Sequence, residues 1–241
     1  YTYDCNGNLL TETDAEGNVT TYTYDRAGRQ TGVTYPDGTT TKYEYDAMGY
    51  TTGVIFPDGT RNSYECDASG NVVKEILADG TELLYSYDLL NRRVSERDKD
   101  GRTVTYEYYP NGNPYRVTYP DGTYELYTYN NRWRVASFKD TAGYVTSYEY
   151  DAMGNVTLQR DALGNTYRYE YDALGRLLKA TDPNGNSTSY GYDANSNCTS
   201  QTDALGNTIF MEYDALNRMV KAYRKDKAGV EYSVSYNYDA L

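Results

Sequence analysis

The phrase Tyr-x-Tyr-Asp occurs at Tyr22 and again at Tyr43, and the same beat of 21 residues runs on through the chain. Its starting positions are Tyr1, Tyr22, Tyr43, Tyr64, Tyr85, Tyr106, Tyr127, Tyr148, Tyr169, Tyr190, Met211 and Tyr236, giving ten intervals of 21 residues and a last one of 25. A fixed period of this length marks a repeat architecture, in which each unit buries its apolar face only against its neighbours. The 241 residues are filled from end to end. A single array over residues 1–241, of about eleven units, is therefore expected, with no stretch left for a second domain. The chain starts at Tyr1 and stops at Asp239-Ala-Leu, where another turn would begin, so it reads as a segment of a longer protein.

Two turn signals alternate inside each unit. The first follows the aromatic phrase, as in Asp25-Arg-Ala-Gly28, Asp46-Ala-Met-Gly49 and Asp172-Ala-Leu-Gly175; the second comes ten residues later, as in Pro36-Asp-Gly38, Pro57-Asp-Gly59, Asp161-Ala-Leu-Gly164 and Asp182-Pro-Asn-Gly185. Asp at the first position, Pro at the second and Gly at the fourth suit a type I turn closed by a residue at positive φ, a common hairpin loop. Glycine holds the second turn at every place: Gly17, Gly38, Gly59, Gly80, Gly101, Gly122, Gly143, Gly164, Gly185, Gly206 and Gly229. The first turn keeps glycine in seven units, and Asn91 and Asn217 are tolerable left-handed substitutes. Trp133 and Ser196 break the rule, and local irregularity is expected there.

Between turns lie runs of about six or seven residues rich in Thr, Val and Tyr, too short for helices and strand-like in composition. Each unit is thus a β-hairpin. Side chains alternate along a strand, so Thr20, Tyr22 and Tyr24 share one face while Val19, Thr21 and Thr23 share the other. The pattern recurs: Tyr43 and Tyr45 oppose Lys42 and Glu44, Tyr85 and Tyr87 oppose Leu84 and Ser86, Tyr169 and Tyr171 oppose Arg168 and Glu170. The aromatic row comprises Tyr22, Tyr24, Tyr43, Tyr45, Tyr64, Tyr85, Tyr87, Tyr106, Tyr108, Tyr127, Tyr129, Tyr148, Tyr150, Tyr169, Tyr171, Tyr190, Tyr192 and Tyr213. The last unit, 214–238, is longer, with two extra residues on each side of Gly229. An even insertion preserves the face of every side chain, so that hairpin should simply extend further.

The expected fold class is all-β: tandem 21-residue hairpins forming one wide antiparallel sheet of roughly 22 strands, on the order of 100 Å along its path at about 4.8 Å per strand. Twist does not let so wide a sheet lie flat, so it should coil into a spiral or an open, barrel-like shell. Its open edges invite self-association. The mean hydropathy of −0.84 taken alone would suggest disorder. The 32 tyrosines reverse that reading, because each ring buries apolar area while its hydroxyl seeks a partner.

A net charge of −12 and the lack of any basic cluster argue against a nucleic-acid partner. No apolar run approaches the roughly 20 residues of a membrane helix. With no histidine, Ser-His-Asp, Cys-His and His-ligated metal sites are excluded within this sequence. Asp140-Thr-Ala-Gly143 resembles an aspartic-protease triplet but occupies a second-turn slot, where a turn cap is the simpler reading. Loop carboxylates could meet calcium, yet one or two per loop, about 10 Å from the next loop, fall short of its six to eight ligands. No catalytic residue, cofactor or metal site is expected. Exposed aromatic rows bind sugars and peptides, but a row at period two is also what a sheet uses to pack, and packing is favoured here. Cys66 and Met211 replace phrase tyrosines, which keeps those places apolar and removes a stacking ring. Cys5 and Cys198 lie in or beside first turns, and the three cysteines show no metal or redox spacing.

The unit from Tyr169 to Asn186, YEYDALGRLLKATDPNGN, resembles the RHS or YD repeat, and the likeness covers essentially the whole chain. The resemblance implies a β-sheet spiralling into a hollow shell, as in bacterial polymorphic and insecticidal toxins, where it encloses a C-terminal toxic domain, and in teneurins. It also implies a secreted or cell-surface location. The self-cleaving aspartate motif, the toxic segment and the plug of complete members are not found in these residues. The expected role is a non-enzymatic wall segment whose partners are the rest of the parent polypeptide and an enclosed toxin domain. The alternative is an adhesion module that binds carbohydrate or a cell surface through its tyrosine face.

Overall fold

A computed structural model describes residues 1–225 and 229–239. The chain divides into two compact units, Tyr1–Tyr124 and Glu125–Leu241. Among the described residues there are 23 strands and no helix, so the class is all-β and built of tandem hairpins. The first unit holds the strands from Thr2–Tyr3 to Pro114–Thr118 and ends at Tyr124, the first residue of strand Tyr124–Tyr129; the second holds the rest of that strand and those on to Glu231–Ser235. Apart from the first, Thr2–Tyr3, strands ending in the aromatic phrase have six residues, such as Val19–Tyr24, and those after it, up to the last hairpin, five, such as Gln30–Thr34. Within each unit a strand pairs antiparallel with the one before and the one after it.

The two turns of a unit share one geometry. The N–H of Asp25 donates to the Arg29 carbonyl at 2.9 Å and that of Gly28 to the Asp25 carbonyl at 3.1 Å; Tyr35, Thr39 and Gly38 repeat the arrangement ten residues on. Gly28 and Gly38 sit at φ of +79° and +82°, where a Cβ would clash with the following carbonyl. The irregularity expected at Trp133 and Ser196 is absent. Both adopt the left-handed conformation, at φ of 58° and 70°, and close the turn with N–H bonds of 3.0 and 3.1 Å to Asn130 and Asp193. Cross-strand pairing on both sides over-determines the loop, so the misfit is stored as backbone strain. Ser196→Gly should therefore raise stability by about 0.5–1 kcal/mol, read as an increased midpoint in urea. Trp133 gains something back by placing its ring 6.3 Å from that of Tyr129.

A feature not anticipated is a register shift in every first-turn hairpin. Tyr24 stands opposite Gln30, but Thr23 stands opposite Gly32, so Thr31 is an extra residue in a β-bulge. The same shift accompanies Tyr45, Cys66, Tyr87, Tyr108, Tyr129, Tyr150, Tyr171, Tyr192 and Tyr213. The second-turn hairpins have none. Parity explains the need. Tyr22 lies beside Val33, and Val33 beside Thr41, so Thr41 and hence Tyr43 share the face of Tyr22. Without the bulge Tyr22 would meet Gly32, Gly32 meets Lys42, and Tyr43 would point the other way. An odd period keeps its rings on one face only by carrying one extra residue per unit.

The lengthened last hairpin behaves as parity requires. Met219–Lys225 has seven residues, and it makes five pairs, from Lys221↔Ser235 to Lys225↔Glu231, where a regular second-turn hairpin such as Lys179↔Ser189 to Thr181↔Ser187 makes three. The N–H of Tyr236 donates to the Val220 carbonyl at 2.9 Å, holding the phrase in step. Its loop at 226–228, like the final Ala-Leu at 240–241, lies outside the described residues.

Candidate functional site: the tyrosine face and the first-turn edge

The eighteen tyrosines of the aromatic row are all half-buried, whereas most residues between them, Thr23, Glu44, Glu65, Ser86, Glu107, Glu149 and Glu170 among them, are exposed; Thr128 and Gly191 are half-buried. Few residues are buried outright: Gly32, Val33, Thr41, Gly53 and Leu158 among those described. The reason is that within each unit a strand touches only its sequence neighbours, so a ring is covered from the sides and stays open above. The first tyrosine of four phrases faces a compact residue on the next strand, Val33 for Tyr22, Val54 for Tyr43, Val117 for Tyr106 and Ala180 for Tyr169, whereas Tyr64, Tyr85, Tyr148 and Tyr190 face Glu75, Glu96, Gln159 and Gln201. Tyr127 meets Phe138, with ring centroids 5.0 Å apart. Among the described residues four carboxylates also reach this face, where they accept from hydroxyls: Glu12 from Tyr22 at 3.2 Å, Glu75 from Tyr85 at 3.2 Å, Glu96 from Tyr106 at 3.5 Å and Glu125 from Tyr127 at 3.0 Å. Burial, and then the Glu75 carboxylate, push the Tyr85 phenol up to about 12.

In seven phrases the second tyrosine belongs to a clamp between consecutive units. Its hydroxyl donates to the carbonyl fifteen residues earlier: Tyr24 to Leu9, Tyr45 to Gln30, Tyr87 to Val72, Tyr108 to Arg93, Tyr150 to Val135, Tyr192 to Leu177 and Tyr213 to Cys198, all at 2.7–2.9 Å. The residue after the first turn completes the clamp, and it is Asn or Arg in ten of eleven units, alternating from Asn71 to Arg218. Arg176 shows the whole arrangement. Its Nε donates to Asp172 at 2.7 Å, its NH1 donates to the Asp193 carbonyl of the next turn at 2.9 Å, and its guanidinium lies 4.9 Å from the centre of the Tyr192 ring. Arg29 over Tyr45, Arg92 over Tyr108 and Arg134 over Tyr150 repeat it at 4.8, 4.8 and 5.7 Å. Even across the longer last hairpin, Arg218 lies over Tyr238, whose hydroxyl reaches the Met219 carbonyl. A planar guanidinium can bond in its plane and stack on its face at once, which lysine cannot. Tyr192→Phe should cost about 1 kcal/mol for the lost hydrogen bond, and Tyr192→Ala about 2–3 kcal/mol for the uncovered ring contact, both read by chemical denaturation.

The turn aspartates are consumed by the fold. Asp25 Oδ1 accepts the N–H groups of Ala27 and Arg29 at 2.8 and 3.0 Å, and its Oδ2 takes the Arg29 Nε at 2.7 Å; where Asn follows, as at Asn8, Asn155 and Asn197, the amide replaces the guanidinium. These bonds hold Asp25 and its counterparts below the usual carboxylate range. In the Pro-Asp-Gly turns the carboxylate sits one step later and accepts both the N–H and the hydroxyl of a threonine, as Asp37 does from Thr39 at 2.9 and 2.7 Å. Asp140 accepts the Tyr144 N–H in the same capping way. Among the described residues no three His, Cys, Asp or Glu side chains gather to hold a metal. Cys5, Cys66 and Cys198 are unpaired thiols.

What this geometry defines is a structural repeat: its polar and aromatic groups are spent on turn closure and on joining one hairpin to the next. The RHS Repeat family profile matches residues 3–40, 31–61, 67–103, 134–166, 154–187, 171–208 and 192–229, most of the chain. The chain belongs to the RHS repeat family. Among solved structures it is similar to the crystal structure of TcdB2-TccC3, with 18% identity and a TM-score of 0.76 over 98% of this chain and 15% of that one. It is also similar to TcdB2-TccC3 without its hypervariable C-terminal region, with 15% identity and a TM-score of 0.63 over 98% of this chain and 16% of that one. A Photorhabdus luminescens Tc holotoxin pore matches with 15% identity and a TM-score of 0.56, over 92% of this chain and 15% of that one. At these identities the likeness shows the fold, and the chain spans about one-sixth of the length of those relatives. Comparison with curated proteins returns no match.

Proposed function

We propose that this chain is one non-enzymatic array, a length of wall in a secreted or surface-displayed shell that surrounds another polypeptide, such as a toxic domain of the same parent protein. The observation that carries the reading is the register. One bulge per unit keeps every ring on one face and makes equivalent tyrosines climb two residues per hairpin, as Tyr43 stands two beyond Thr41. A climb of about 7 Å over two strand spacings of about 4.8 Å inclines the strands by roughly 35°, the tilt at which sheets curl into barrels. The likeness to chains of toxin complexes points the same way. In this reading the aromatic row and the turn glycines are structural: the rings join units, and Gly17, Gly38 and their counterparts reverse the chain.

Small-angle scattering from the 241-residue chain tests the wall. A compact globule of this length would have a radius of gyration of about 18 Å, and a curved single-layer sheet should clearly exceed that value. A compact envelope without a void would overturn the proposal. Enclosure is tested on the intact parent polypeptide, where the enclosed domain should survive protease levels that digest the same domain alone; equal digestion would remove the enclosing role.

A further inference from the structure

The junction of the third and fourth units departs from the clamp at both of its partners. Position 50 is Tyr where the other ten units have Asn or Arg, and position 66 is Cys where the second phrase tyrosine stands elsewhere. These two exchanges meet in an open cleft of about 500 Å³ lined by Tyr43, Tyr50, Val54, Tyr64, Cys66 and Val72, together with Thr51. The neighbouring repeats state what fits such a place. In seven of them a phenol fills it, with its hydroxyl on the carbonyl fifteen residues back. The equivalent carbonyl here is that of Thr51, and the short Cys66 side chain carries no hydroxyl to bond it.

Tyr50 supplies the roof. Its ring lies over the next turn, so close that a Cβ on Gly70 would stand 2.6 Å from Tyr50 Cε1. The guanidiniums of Arg29 and Arg134 reach Gly49 and Gly154 in the same manner while covering the rings of Tyr45 and Tyr150. An aromatic roof therefore replaces a cationic one above the same space. Burial pushes the Cys66 thiol up, and the Asp46 and Asp67 carboxylates add to the shift, so its neutral sulfur serves as an apolar floor.

We propose that this cleft is a binding site for a phenolic ring, stacked beneath Tyr50 and donating its hydroxyl to the Thr51 carbonyl. The repeat itself acts as the template, since the site reproduces an intramolecular contact with the covalent tether removed. The ring can come from a free phenolic compound or from a tyrosine of an adjoining polypeptide, which share this chemistry. The proposal does not depend on the shell reading.

Ligand-observed NMR on the full chain with phenol, benzene and N-acetyl-tyrosinamide tests it. Phenol should bind about fivefold more tightly than benzene, the worth of one net hydrogen bond. Cys66→Tyr should abolish phenol binding and raise the melting temperature, because the tethered ring takes the site; Cys66→Ala should retain binding. Tyrosinamide binding at the same site would identify a polypeptide source, and binding of phenol alone a free small molecule. Equal affinity for phenol and benzene, no binding of phenol, or phenol binding unchanged by Cys66→Tyr would each overturn the proposal.

Discussion

One threonine inserted between Thr166 and Tyr167 is expected to uncouple the hairpins on either side of it, whereas two residues added to each strand of the same hairpin should leave stability nearly unchanged. The strands Val156–Arg160 and Thr166–Tyr171 pair without a bulge, from Leu158↔Arg168 to Arg160↔Thr166. A single added residue moves Tyr169 and Tyr171 to the face of Arg168 and Glu170, or forces a second bulge beside the one already present before Leu158. Burial of half a ring, about 100 Å² at about 25 cal/mol per Å², is worth roughly 2–3 kcal/mol, and the junction loses at least one such contact. In a linear array stability is a sum over units and their interfaces, so one broken interface should turn a single melting transition into two and admit protease at the junction. The four-residue version copies what the chain already does at 214–238, where the hairpin is two pairs longer and Tyr236 stays in step. A single transition for the one-residue insertion would show that the register tolerates a slip.

Acid should unfold the protein over a narrow range. Aspartates 4, 14, 25, 37, 58, 67, 79, 88, 121, 151, 161, 172, 182, 193, 203 and 214 are all held below their ordinary value by turn hydrogen bonds. A folded-state pKa below the unfolded one means that the unfolded chain binds protons first, so stability falls as pH falls. The contribution is complete above the unfolded value of about 3.9 and disappears as pH drops through the folded values. Self-repulsion runs the opposite way at first, because the net charge of −12 is neutralised on approach to the isoelectric point near 4.5. The melting temperature should therefore be level or slightly higher at pH 5 than at pH 7, and then fall steeply below pH 4. Circular dichroism melts at pH 7, 5, 4 and 3 provide the check; an unchanged melting temperature at pH 3 would mean that the turn carboxylates stabilise nothing.

Much of this architecture was legible in the sequence because the determinants are local. Asp-x-x-Gly and Pro-Asp-Gly specify their turns within four residues, and Tyr-x-Tyr sets two rings on one side of a strand whatever that strand pairs with. The clamp left a signal as well, the Asn or Arg that follows the first turn, but its meaning depends on Tyr192 and Asp193 arriving beside Arg176 from the next unit. Ser196 and Trp133 looked like faults by the same local rules. Neighbouring strands hold them in the glycine conformation all the same.

The sequence by itself determined the period, the places where the chain reverses and the division of side chains between two faces, since each of these is a property of a few adjacent residues. Only the tertiary structure decided that one residue per unit, such as Thr31, is left out of the ladder, and that rings, guanidiniums and carbonyls of successive hairpins lock together. Strand register is a relation between chain segments brought together by folding, and no single segment encodes it.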